Sequence, residues 1–242
     1  MPQLTPTLVA LAALLAGLPR ADARPRPLPV PGFAAAAHVA PKGPGVRPLV
    51  IGLHGNFDRP QWFCGAMEEI VEGRAWLLCP RGRRRRDVPR EYDRYTFPSR
   101  SRLRREIAAG LKALRERYPG RVAAGPALLA GFSLGAIYAS RFAVAQPGRY
   151  PRLYLVEGAH RVWTPKNIRR FARGGGKAVL FGCGRRGCRA QSRRICRALN
   201  RAGVWCGEVT SPGLGHSYTA PLTRLALSLW ERLVAGAAGW GK

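Results

Sequence analysis

The sequence predicts an α/β protein in which a mostly parallel sheet is flanked by helices, and three observations carry that prediction. Six short, continuous apolar runs are bounded by turn residues, the pattern of strands buried on both faces of a parallel sheet. Segments with helical spacing lie between them, so strands and helices alternate as in βα units. The 242 residues, 46% of them hydrophobic, suffice for one sizeable core and fit one domain better than two.

Residues 1–23 stand apart from the rest. An apolar run from Leu8 to Leu18 is followed by Pro19 and by Ala21-Asp22-Ala23, a small-residue processing site, so the segment reads as a cleaved signal peptide. The run falls short of the roughly 18 residues needed to cross a bilayer. Met1 to Thr7 departs from the usual pattern in carrying no Lys or Arg. The expected destination is the periplasm or the cell exterior. Residues 24–47, rich in Pro and Ala, read as a lead-in with one irregular edge strand, and residues 48–242 as the α/β domain.

Within that domain the first buried strand is Pro48 to His54, and the others are Ala75 to Cys79, Ala127 to Ala130, Leu153 to Val156, Ala178 to Phe181 and Val204 to Val209. A helix is predicted over Arg102 to Tyr118, with Ser101 as N-cap and Leu103, Ile107, Leu111 and Leu114 on one face. Thr164-Pro165 supplies a cap and a first-turn proline for another, which Gly174-Gly175-Gly176 stops. The last helix follows Pro221 and places Leu222, Leu225, Leu229 and Leu233 together.

Six cysteines in an exported chain point to disulfides. Cys64 falls in a predicted helix and Cys79 on the strand after it, and Cys196 and Cys206 repeat that relation. Cys183 and Cys188 would close a short loop. The expected pairing is therefore 64–79, 183–188 and 196–206. A zinc site on Cys183, Cys188 and Cys196 is the alternative, with a poorly matching spacing.

The formal charge is +28, and 36 of the 41 basic residues are Arg. A GC-rich coding sequence yields such a bias as readily as selection for guanidinium chemistry. The field nevertheless favours anionic polymers, lipid head groups or acidic substrates. The run Arg81-Gly82-Arg83-Arg84-Arg85-Arg86 follows a strand end, where open α/β sheets bind ligands; it reads either as a solvated charge run or as a basic rim to a site.

The most specific motif is Gly131-Phe132-Ser133-Leu134-Gly135, a G-x-S-x-G between an apolar run and the helical stretch 136–145. A strand turning sharply into a helix strains its corner residue and exposes a serine hydroxyl at the helix N-terminus, where the Leu134 N–H can meet an oxyanion. Gly213-Leu214-Gly215-His216-Ser217 supplies a glycine-flanked histidine after the last strand.

On these motifs the chain resembles the α/β-hydrolase superfamily, and within it the small dienelactone-hydrolase, carboxylesterase and acyl-thioesterase-like serine hydrolases, over about Pro48 to Val234. The resemblance implies that Ser133 is the nucleophile and His216 its base. It also implies that the Asn56 and Leu134 amides form an oxyanion hole, Asn56 within His54-Gly55-Asn56. Ester or thioester hydrolysis without metal or organic cofactor follows, on a small-molecule ester, by a monomer with no specific nucleic-acid partner. The acid is the departure. In most relatives it follows the strand before the histidine segment, where this chain has Arg185 and Arg186. Only Glu157 and Glu208 lie between Ser133 and His216. Glu208 falls inside a strand, which leaves Glu157, at a strand end where some members carry the acid, as catalytic acid or as a salt-bridge partner of a nearby Arg. His38, His54 and His160 are expected to be structural. The competing reading is a catalytically weak scaffold that binds anionic polymers or membrane surfaces through its arginines.

Overall fold

The computed structural model describes residues 24–240, so the signal-peptide reading lies outside the described residues. Ten strands and six α-helices follow in chain order: β1 (Arg26–Leu28), β2 (Ala36–Val39), β3 (Leu49–Leu53), α1 (Pro60–Val71), β4 (Trp76–Cys79), β5 (Arg83–Arg84), β6 (Tyr95–Thr96), α2 (Arg100–Arg117), β7 (Leu128–Phe132), α3 (Leu134–Ala145), β8 (Arg152–Val156), α4 (Pro165–Arg173), β9 (Ala178–Cys183), α5 (Arg186–Arg201), β10 (Trp205–Thr210) and α6 (Ala220–Val234). Eight strands form one sheet in the order β1-β2-β4-β3-β7-β8-β9-β10. The strands from β4 to β10 in that order pair in parallel; β1 with β2 and β2 with β4 are antiparallel.

The inner predicted strands are continuous in apolar character because both their faces are covered, whereas β10, at the sheet's border, carries the half-buried Gly207 and Glu208. Leu49, Ile51, Leu129, Leu153, Val179 and Phe181 join the core layer under α2 to α5, whereas Val50, Leu128, Tyr154, Ala178 and Leu180 join the layer under α1 and α6. Alternate residues thus feed opposite layers, as the period of two in a strand requires.

Three expectations need correction. The 24–47 lead-in carries two regular strands rather than one irregular one, and β2 is buried between β1 and β4. The N-cap of α2 is Ser99, whose side chain accepts from the Arg102 N–H at 3.3 Å, and Ser101 lies inside the helix. The α6 face that packs inward runs Leu222, Ala226, Trp230, Leu233, while Leu225 is exposed; burying the large indole rotates the stripe. Within the arginine run, Arg83 and Arg84 pair through their backbones with Thr96 and Tyr95 in a separate two-stranded ribbon, and Arg83 and Arg86 are exposed. Thr164 caps α4 as expected, accepting from the Asn167 N–H.

The cysteines pair 64–79, 183–188 and 196–206, which leaves none of these sulfurs free as a zinc thiolate. His160, Cys183 and Cys188 do cluster, but the two cysteines are bonded to each other. Replacing both Cys64 and Cys79 by Ser opens a 15-residue separation and is expected to cost about 3 kcal/mol, read as a lower urea midpoint. The unreduced parent should show no thiol reactive to iodoacetamide.

One buried carboxyl sets a pH dependence. Burial in α1 pushes Glu68 up to about 7, against the opposing pull of Lys42 and the Gly73 N–H. An unfolded Glu ionises near 4.5, so the native state holds the extra proton between those values. Stability therefore falls as pH rises from about 4.5 to about 7. Glu68→Gln should raise the thermal midpoint at pH 8, by the equivalent of about 1–3 kcal/mol, and leave it unchanged at pH 4.

Candidate active site

The site stands at the carboxyl ends of the central parallel strands. β7 ends at Phe132, and Ser133 turns the chain into α3 with φ 51° and ψ −111°. The turn is possible because its flanks are bare: a Cβ on Gly135 would sit 1.9 Å from the Leu53 carbonyl oxygen. The Ser133 N–H donates to the Val156 carbonyl at 2.9 Å, which ties the corner to β8. A positive φ at a non-glycine residue is strain held by its surroundings, a recurrent property of functional corners.

His216 lies in the loop between β10 and α6. Its Nε2 is 2.9 Å from Ser133 Oγ and its Nδ1 is 3.3 Å from Glu157 Oε2. The imidazole packs against Phe132, with ring centroids 4.8 Å apart. The structure therefore brings Ser133, His216 and Glu157 into one chain of contacts. Glu208 is elsewhere, on β10, paired with Arg193 at 3.1 Å.

Glu157 follows β8, and both partners weighed for it are present. Its side chain is fully buried. Oε1 accepts from the backbone N–H groups of Gly184 at 2.7 Å and Arg185 at 2.9 Å, and Oε2 accepts from Arg185 Nε at 2.6 Å. Burial works to raise its pKa, but the Arg185 backbone and guanidinium, the Gly184 N–H and His216 outweigh it and hold the carboxyl below its ordinary value. The loop after β9, where the resemblance placed the acid, carries the donors instead. Like Ser133, Glu157 has a left-handed backbone, with φ 51°.

The Leu134 and Asn56 backbone N–H groups, the oxyanion candidates, have no hydrogen-bond partner among the described residues. Leu134 opens α3. The loop carrying Asn56 abuts the nucleophile, since a Cβ on Gly55 would lie 2.7 Å from the Phe132 ring and 3.6 Å from Ser133 Cβ. The Asn56 side chain faces the other way, accepting from Arg85 at 2.8 Å.

Two residues that the sequence reading passed over brace this arrangement. Asp58 accepts from the Gly55 N–H at 3.2 Å and from the Tyr218 hydroxyl at 3.0 Å. Tyr218 also sets its ring edge-on to Phe132 and to Phe63. Burial and the Asp58 charge hold the Tyr218 hydroxyl protonated well above its usual range. The pair thus ties the loop of Asn56 to the loop of His216. Neither belongs to a motif; Tyr218 lies two residues after His216 and Asp58 four after His54, and only proximity in sequence hints at them.

The remaining histidines are occupied elsewhere. His54 is buried, with its ring nitrogens on the Gly55 and Arg81 carbonyls at 2.7 and 2.9 Å. His38 bridges the Arg26 carbonyl and the Tyr118 hydroxyl. His160 contacts the Ser192 hydroxyl at 2.9 Å and stacks on Phe181.

No protein-family model matches the sequence. No curated protein matches it. Among solved structures the chain is similar to the Bacillus cereus carboxylesterase, at 18% identity and a TM-score of 0.55, over 82% of this chain and 94% of that one. It is similar also to Est1E from Butyrivibrio proteoclasticus, at 16% identity and a TM-score of 0.58, over 88% and 99%. An uncharacterized protein from Bacillus cereus ATCC 10987 superposes with a TM-score of 0.59 at 14% identity, over 79% of this chain and 61% of that one, so this chain spans less than two thirds of its length. These likenesses show the fold: the chain has the α/β-hydrolase fold.

Proposed function

We propose that the protein is an exported serine hydrolase that cleaves carboxylic ester or thioester bonds through an acyl-enzyme at Ser133. The observation that carries this reading is the 2.9 Å contact of Ser133 Oγ with His216 Nε2, backed by Glu157 on Nδ1. His216 takes the hydroxyl proton as Oγ attacks the carbonyl carbon, and the Asn56 and Leu134 N–H groups receive the oxyanion. The imidazolium then passes its proton to the leaving oxygen or sulfur as the acyl-enzyme forms. Water, deprotonated by the same imidazole, releases the acid and restores Ser133. Glu157, kept ionised by its donors, stabilises the imidazolium at each stage. The esterase named among the structural neighbours supports ester chemistry, and the disulfides, with the apolar N-terminal segment, support export. Among the described residues no helix is long and apolar enough to cross a membrane.

A fluorophosphonate probe tests the reading, because it reacts only with an activated serine. Stoichiometric labelling mapped to the peptide containing Ser133 is expected. A folded sample that takes up no label would instead favour the scaffold reading.

A further inference from the structure

We infer that the rim beside the Asn56 loop is a docking face for an acidic polysaccharide, so that the substrate is an acyl ester carried on such a polymer. The inference rests on the ester-hydrolase reading for its chemistry and on a separate surface for its specificity.

That surface is a ladder of alternating cations and rings. The Arg85 guanidinium lies 5.6 Å from the centroid of Phe57, and Arg94 covers the same ring at 5.3 Å. Arg94 also lies 4.7 Å from Trp62, which Arg59 covers at 4.8 Å. The ladder begins at the site, because Arg85 donates to the Asn56 side chain at 2.8 Å. Phe57 and Trp62 remain 44% and 47% exposed, and with neighbouring Tyr92 they make up three of the five exposed large hydrophobic residues among the described residues. Phe57 is moreover held at φ 63°, an unfavourable conformation for a bulky residue. Its N–H donates to the Tyr95 carbonyl at 3.0 Å, and the bridge between Asp58 and Tyr95 secures that turn. The backbone is thus strained to present a ring to solvent.

Two carboxylates temper the charge: Asp87 pairs with Arg85, and Asp93 lies 3.6 Å from Arg59. Arg94 has no carboxylate partner among the described residues, and Arg83, Arg86 and Arg90 add exposed charge nearby. Ring faces interleaved with fixed cations suit a chain of pyranose rings bearing carboxylates, whose C–H faces stack on aromatics while the acids reach guanidinium groups. Nucleic acid would also stack on such a platform, but it carries no carboxylic ester for Ser133 to cleave. A bilayer would require a broad apolar face, and here the half-exposed Phe57 and Trp62 rings are separated by the guanidinium groups of Arg59, Arg85 and Arg94.

The test compares the parent, the double variant Trp62→Ala with Arg94→Gln, and Arg105→Gln, which removes one charge from an exposed position of α2. Each is measured for binding to polygalacturonate, oligothymidylate and phosphatidylglycerol vesicles, and for turnover of nitrophenyl acetate and O-acetylated polygalacturonate. The double variant should bind polygalacturonate about tenfold more weakly and lose a similar factor in kcat/KM on the acetylated polymer. It should turn over nitrophenyl acetate like the parent, which also reports that it is folded, and Arg105→Gln should match the parent throughout. Unchanged polymer binding in the double variant, an equal loss in Arg105→Gln, or tighter parental binding to oligothymidylate or vesicles would each overturn the inference. Should the parent hydrolyse neither ester, the chemistry fails, while the polygalacturonate isotherms still decide whether the docking face exists.

Discussion

Ser133→Ala is expected to lower turnover of nitrophenyl acetate by about 10⁴-fold or more while leaving the thermal midpoint close to that of the parent. The loss is large because the hydroxyl is the attacking atom and the acyl-enzyme cannot form without it. The fold should survive because the strain of the corner is held by the backbone, through the Ser133 N–H to Val156 and the close packing of Gly135, rather than by the side chain. Turnover within tenfold of the parent would remove Ser133 from the mechanism.

The second large effect is expected at Glu157, and its direction follows from the donors around the carboxylate. In Glu157→Gln the two N–H groups of Gly184 and Arg185 select the side-chain carbonyl for the Oε1 position. The amide NH₂ must then occupy the Oε2 position, where it meets Arg185 Nε–H as donor against donor and offers a hydrogen to His216 Nδ1. That favours the histidine tautomer with its proton on Nε2, which can no longer accept from Ser133. A fall in kcat of about 10⁴-fold is expected, the scale of a triad acid replaced by its amide. Glu208→Gln should remain near the parental rate, since that carboxylate faces Arg193 away from the site. Measuring kcat for both variants separates a catalytic carboxylate from a merely structural ion pair.

The strands of the central sheet were legible because burial on both faces forces an unbroken apolar run, and the nucleophile and histidine because a sharp strand-to-helix corner demands glycines around them. The acid was legible only by elimination. Nothing in the residues around Glu157 announces that its donors come from the next strand's loop, a relation set by the neighbouring positions of β8 and β9 in the sheet. β1 and β2 were obscured by the prolines around them and by the small residues of Ala36-Ala37, which carry no strand periodicity. The arginine run could not be resolved from composition, because pairing of Arg83 and Arg84 with β6 depends on a turn some ten residues long. Ser99 and Ser101 offer the same capping chemistry, and only the direction of chain entry chooses between them.

The three-residue strand at the sheet's first border has a consequence for assembly. β1 carries Pro27, which has no N–H to donate, and the exposed Arg26 beside it. A sheet edge becomes a template for another chain when it is long, flat and rich in unpaired donors. This one is short, interrupted by an imino acid and charged, so a second molecule approaching along that border finds no continuous ladder to extend.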